Sequence, residues 1–308
     1  MLRFGNTDSR HGVFIFKTIL YAAVFGFLVS YVYGNWHAIL EVGRPDLGWI
    51  LLASVFALVS LLCTTWVYKT IFWAFGFNLS YGKVLGVQYV SRLGKYLPGK
   101  AWAVLWGVVL YDREGVSKTV AATSIALVSI LGILGALFVI ILFGVWSVPV
   151  PGGVLSLIFV AVMLLLSVHP RVFYPVLNYG LRLIGRAEIP ANQIRFQLIL
   201  SLLLAYIVIW VLYGAGFCCL VRSFSFLSAI DSLQLIAMFA FAQVAGLLVI
   251  VAPAGLGVRE SALLLGLAPL VGEGPAIVLV GFCRLWQTVL EFLLAVVGWY
   301  LLRRGSTR

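Results

Sequence analysis

Apolar runs long enough to cross a lipid bilayer recur from end to end of this chain, and no other feature constrains its fold as strongly. A spanning helix needs roughly 20 consecutive apolar residues, and such runs stand near 13 to 33, 48 to 70, 119 to 144, 152 to 169, 196 to 220 and 275 to 302. Composition agrees with this reading, because 63% of the 308 residues are hydrophobic and 10% charged, against about 45–50% and about 25% in soluble domains. Hydrocarbon offers no hydrogen bonds, so each run must close its own backbone bonds as a helix. The expected fold is all-α and polytopic, a single transmembrane domain over 1–308 with no soluble domain on either flank. The first run follows Arg3, Arg10 and Lys17; it is too long for a signal-peptide core and lacks a small-x-small cleavage site, so it reads as a retained helix.

Two further apolar regions, 82 to 111 and 233 to 271, are cut in the middle by proline and glycine. The cuts are Leu97-Pro98-Gly99-Lys100 and Ala252-Pro253-Ala254-Gly255-Leu256-Gly257. Proline removes a helix donor and glycine lets the chain reverse, so Pro98, Gly99, Pro253, Gly255 and Gly257 mark the bends of two helical hairpins. The first hairpin's arms, about 14 residues or about 21 Å each, fall short of a ~30 Å hydrocarbon core. That hairpin is expected to be re-entrant. The second has longer arms and either re-enters or crosses twice, which returns the chain to its starting side in both cases.

Charge in the short loops orients the chain. With the N-terminus in the cytoplasm, 17 of the 21 basic residues fall on the cytoplasmic side or on the first hairpin, leaving Arg44, Arg222, Arg259 and Arg284. The positive-inside rule then predicts both termini inside. The same rule, with an anionic inner leaflet, accounts for the net charge of +11 without any nucleic-acid partner.

Placing Pro98 on Pro253 also brings Gln88 onto Gln243 and Ala121 onto Ala276. Each half then holds spans around one broken hairpin, about 13 to 144 and about 152 to 302. Three spans per half would set the halves in opposite orientations. Inverted repeats with discontinuous helices at matching positions point to a binding site near the bilayer midplane.

A charge at the bilayer centre costs about 2.5–3.5 kcal/mol on insertion scales, so those that persist face a partner or a cavity. Arg92, Lys95 and Lys100 surround the first bend, and Arg259 and Glu260 the second; Arg284, Gln287 and Glu291 share one face of the last span. Arg284 lies too deep to snorkel and needs a partner, which Glu260 could supply, although Glu260 could equally pair with Arg259. Glu291 stands two turns from Arg284, too far for a direct bond. Glu260, Glu291 and Gln287 form either a structural charge network or a proton-coupling set. The excess of basic residues makes any cavity between the bends electropositive, and helix N-termini after each proline would add free N–H groups. The implied ligand is anionic, and the apolar walls imply that it carries lipid chains: a phospholipid or a polyprenyl phosphate, with the headgroup on Arg92, Lys95, Lys100, Arg259 and Arg284.

Metal and cofactor chemistry are not indicated. Cys63, Cys218, Cys219 and Cys283 lie in apolar stretches without metal-ligand spacing, and His11, His37 and His169 stand alone near helix ends. No P-loop occurs. Asp112-Arg113-Glu114 is the nearest approach to a DxD-type site and reads more simply as a hydrophilic turn.

At the two bends the sequence resembles the flippase-like family that includes the transmembrane region of lysylphosphatidylglycerol synthases. The resemblance rests on Gly94-Lys95-Tyr96-Leu97-Pro98-Gly99-Lys100, on Pro253-Ala254-Gly255-Leu256-Gly257-Val258-Arg259-Glu260, and on Arg284 in the last span. It implies a bacterial or archaeal cytoplasmic-membrane protein that moves lipids or lipid-linked intermediates between leaflets. Lysine transfer is not implied, since these residues include nothing with the composition of a soluble transferase domain. A non-enzymatic translocase is the first expectation; an accessory or enzyme subunit of lipid-linked glycan or cell-envelope assembly, with partners from that machinery, is the second.

Overall fold

The computed structural model describes residues 33, 44–96, 101–144, 153–183, 194–224, 228–249 and 255–305. Of the first expected span only Tyr33 falls among them, so that span lies outside the described residues, as do Pro98, Gly99, Lys100 and Pro253. Among the described residues the regular structure is entirely helical: α1 (Leu47–Ala74), α2 (Tyr81–Arg92), α3 (Ala101–Arg113), α4 (Lys118–Phe143), α5 (Gly153–Val168), α6 (Pro170–Leu183), α7 (Phe196–Arg222), α8 (Ala229–Leu248), α9 (Val258–Val271) and α10 (Glu273–Gly305). A 3-10 turn, Leu93–Tyr96, continues α2.

The starts of these helices follow from local chemistry. Side-chain oxygens of Asp46, Ser80 and Ser117 accept from the first-turn amides of Gly48, Lys83 and Val120 at 2.7, 3.4 and 3.4 Å. Ser228 and Asp231 form a reciprocal capping box at α8. Helices α1, α4, α7, α8 and α10 are each long and apolar enough to span a bilayer, and α5 with α6 makes a sixth candidate bent by 72°. The protein is an integral membrane protein, and its outward faces are apolar as lipid requires, with Leu51, Trp66, Phe159, Leu204 and Val296 all exposed.

Helices α2 and α3 have 12 and 13 residues, about 18–20 Å each, as the first cut region predicts. They run antiparallel, because a Cβ on Gly94 would meet Ala103 while one on Gly107 would lie 3.5 Å from Ser91. Helices α8 and α9 are antiparallel too, with Gly246 against Arg259 and Gly266 against Met238. At 20 residues, α8 is the longer arm the sequence anticipates.

The packing places both pairs around the same centre. The α2–α3 pair lies between α4 and α10, and the α8–α9 pair between α10 and α4, while α1 packs along α7. Helix α2 approaches α10 at two glycines: a Cβ on Gly298 would stand 2.7 Å from the Cα of Gly86. That contact lets the backbones touch and sets the depth at which the tip of α2 meets α10.

Candidate functional site

The tip of α2 carries Arg92 and, in the 3-10 turn, Lys95. Gly94 fixes their position, since any Cβ there would lie 2.9 Å from the backbone nitrogen of Ala103, at the start of α3. Arg259 stands in the first turn of α9, and its side chain passes over Gly246 of α8, where an added Cβ would come within 3.1 Å of the arginine Cβ. The second bend is built by Gly255 and Gly257 at φ +71° and +87°, a left-handed backbone open mainly to glycine.

These bends bring their charges to one cavity of about 390 Å³, lined by Arg92, Lys95, Gln88, Gln243, Arg259 and Glu291 together with hydroxyl-bearing and apolar side chains of α1, α4 and α7. Lys95 Nζ donates to Glu291 Oε1 at 2.7 Å, and Tyr96 OH donates to Glu291 Oε2 at 3.2 Å. Arg92 lies over the ring of Tyr89, 5.2 Å from its centroid, and Tyr89 OH donates to the Leu61 carbonyl at 2.8 Å. In the amide orientation that matches donors with acceptors, Gln243 Oε1 accepts from Arg259 Nη2 at 2.8 Å and from Gln287 Nε2 at 3.0 Å.

Three cations therefore meet one carboxylate on the wall. Glu291 is spent on Lys95, and no salt bridge engages Arg92 or Arg259 among the described residues. Guanidinium groups present parallel N–H donors that match phosphate and carboxylate oxygens, so this wall suits a tetrahedral or planar anion.

Not every residue singled out in the sequence reaches the cavity. Arg284 pairs with Glu260 at 3.3 Å and is not among the lining residues; the choice left open for Glu260 thus resolves in favour of Arg284. Glu260 also closes the start of α9, its Oε2 accepting from Gly257 N at 2.7 Å, so that amide is not open to an anion as the sequence suggested. Gln287 stands behind Gln243 rather than on the wall. The sequence reading missed Tyr96 and treated Gln88 and Gln243 only as repeat markers; a glutamine in an otherwise apolar arm was the available signal. The carboxylates of Asp112 and Glu114 are held by Lys118 at 3.6 Å and Lys83 at 2.7 Å; of the triplet read as a hydrophilic turn, Asp112 and Arg113 close α3 and Glu114 stands in the turn that follows. All four cysteines are free thiols, three of them buried.

The cavity, its basic wall and the lipid-facing exterior set the context for comparison with known proteins. No curated protein matches the chain. The family model described as the lysylphosphatidylglycerol synthase TM region matches residues 14–295, nearly the whole length, and the chain belongs to that family.

Proposed function

We propose that this protein is a translocase for an anionic lipid or a lipid-linked phosphate, and that it performs no covalent chemistry of its own. One observation carries the reading: Arg92 and Arg259, from two different broken helix pairs, face the same cavity, and neither has a carboxylate within salt-bridge distance among the described residues. Cations this deep are retained where they meet an anion. The phosphate would bind Arg92 and Arg259 and compete with Glu291 for Lys95, while the acyl or prenyl chains stay in the bilayer.

The architecture supports movement as well as binding. In the register that sets Pro98 on Pro253, α2, α3 and α4 correspond to α8, α9 and α10, and the packing is reciprocal: α2 on α10 answers α8 on α4. This reciprocity supports an inverted repeat; the short α2 and α3 support re-entrant arms, and the skew of Lys and Arg supports cytoplasmic termini. In such folds one repeat rocks against the other around a fixed site. The charge pairs Lys95–Glu291 and Arg284–Glu260 are the groups that could couple this motion to a proton gradient.

Reconstitution into vesicles with a fluorophore-labelled phosphatidic acid tests the reading. The expected result is accelerated loss of inner-leaflet protection relative to protein-free vesicles. Arg259→Ala removes one charge-assisted contact of about 1.5–3 kcal/mol, equivalent to roughly 10- to 100-fold weaker headgroup binding. Wild-type vesicles that move phosphatidic acid no faster than empty ones would overturn the proposal.

A further inference from the structure

A bare phosphate has five heavy atoms, whereas the cavity of about 390 Å³ has room for roughly 13 waters at about 30 Å³ each. Away from the charged groups the wall is mainly apolar, with uncharged polar side chains set into it. Gln88 is 5% exposed and lines the cavity, and neither its amide nitrogen nor its amide oxygen has a partner among the described residues. Tyr111, 1% exposed, lines the same cavity with its hydroxyl also unpartnered among them. Buried polar atoms are ordinarily satisfied, so two such groups on one wall point to a ligand.

The register of the two halves shows why Gln88 lacks an internal partner. It corresponds to Gln243, whose carbonyl oxygen is taken by Arg259 and Gln287. The positions corresponding to those two residues are Val104 and Gly132, both on the cavity wall. Where the second half supplies its glutamine with a guanidinium and an amide, the first half supplies neither, and the Gln88 amide is left unspent.

We infer that Gln88 and Tyr111 form a subsite for an uncharged, hydroxyl-bearing group, such as a glycerol or a sugar ring, attached to the phosphate of the lipid. The inference rests on the anionic-lipid reading and extends it. An amide and a phenol both donate and accept, and a hydroxyl does the same, so the three pair without an unmatched proton. An ammonium in this position would accept from neither amide hydrogen and would share a low-dielectric space with Arg92 and Arg259. The only lining carboxylate among the described residues, Glu291, is bound to Lys95.

Native mass spectrometry of the purified full-length chain, titrated with phosphatidic acid, phosphatidylinositol and phosphatidylcholine, tests the inference. Phosphatidylinositol is expected to bind about tenfold tighter than phosphatidic acid, equivalent to about 1.4 kcal/mol. Tyr111→Phe keeps the ring against Phe72 and is expected to remove most of that preference while leaving phosphatidic acid binding unchanged. Gln88→Leu is expected to do the same and to leave the thermal midpoint of the lipid-free protein unchanged or raised; a clear fall would mean that the amide is structural and would overturn the assignment. Equal affinity for phosphatidylinositol and phosphatidic acid, or preference for phosphatidylcholine, overturns the subsite alone. Failure of any anionic lipid to bind overturns the translocase reading instead.

Discussion

The tip of α2 is held on α10 by charge, and a double-mutant cycle on Lys95 and Glu291 measures how strongly. At the 2.7 Å separation of Lys95 Nζ and Glu291 Oε1, Coulomb attraction at an effective dielectric of about 20 is about 6 kcal/mol. Desolvation opposes it, and the lysine side chain is still 27% exposed while the glutamate is 11% exposed. With that partial screening, a coupling energy of about 2–3 kcal/mol is expected. Glu291→Gln leaves an ammonium beside Arg92 and Arg259 and is expected to cost about 3 kcal/mol by itself. Lys95→Met strands the carboxylate at similar cost. The double variant Lys95→Met with Glu291→Gln removes both charges, and its loss is expected to fall short of the summed single losses by the coupling energy. Reversible unfolding of the four proteins in mixed micelles reads these values. Additive losses, with coupling below about 0.5 kcal/mol, would refute the view that this ion pair positions the tip.

Other positions give separate tests of the packing. Gly298→Ala places a methyl 2.7 Å from the Cα of Gly86 and is expected to destabilise the protein by about 1–3 kcal/mol in the same unfolding assay. Gly255→Ala combines φ +71° with a Cβ 2.8 Å from the Gly246 carbonyl oxygen, so it is expected to cost about 1–3 kcal/mol and to weaken phosphatidic acid binding by displacing Arg259. Lys83→Ala breaks a more exposed pair with Glu114, 36% and 21% exposed, and a change of no more than about 1 kcal/mol is expected.

Much of the fold was legible because the bilayer permits few solutions. Apolar runs at 48 to 70, 119 to 144, 196 to 220 and 275 to 302 became α1, α4, α7 and α10 with ends shifted by a few residues. Proline and glycine located both interruptions. The run at 152 to 169 hid its sequel: α5 ends at Val168 and the chain bends by 72° at His169 into α6. Pro170 is acceptable at the first helical position, and Pro175 did not stop the helix, which buries Tyr174 while exposing Val176 and Tyr179. The identity of charge partners was not legible. Lys95 and Glu291 lie 196 positions apart, and their meeting depends on the close approach of Gly86 to Gly298, which looks like any other pair of glycines in an apolar sequence.

Helix α10 takes part in two ion pairs, one with each broken pair of helices. Glu291 binds Lys95 from the first broken pair of helices, and Arg284, two turns away on the same helix, binds Glu260 from the second. The two contacts respond differently to a ligand. A phosphate in the cavity can replace Glu291 as the partner of Lys95, since both residues line the wall; it cannot replace Glu260 at Arg284, which lies off that wall. Headgroup binding is therefore expected to loosen the α2 tip from α10 while leaving α9 attached. Spin labels across each contact, followed by pulsed distance measurement with and without phosphatidic acid, distinguish the two. A broadened or lengthened distance between the α2 tip and α10 with an unchanged α9–α10 distance supports this asymmetry, and equal changes at both contacts would refute it.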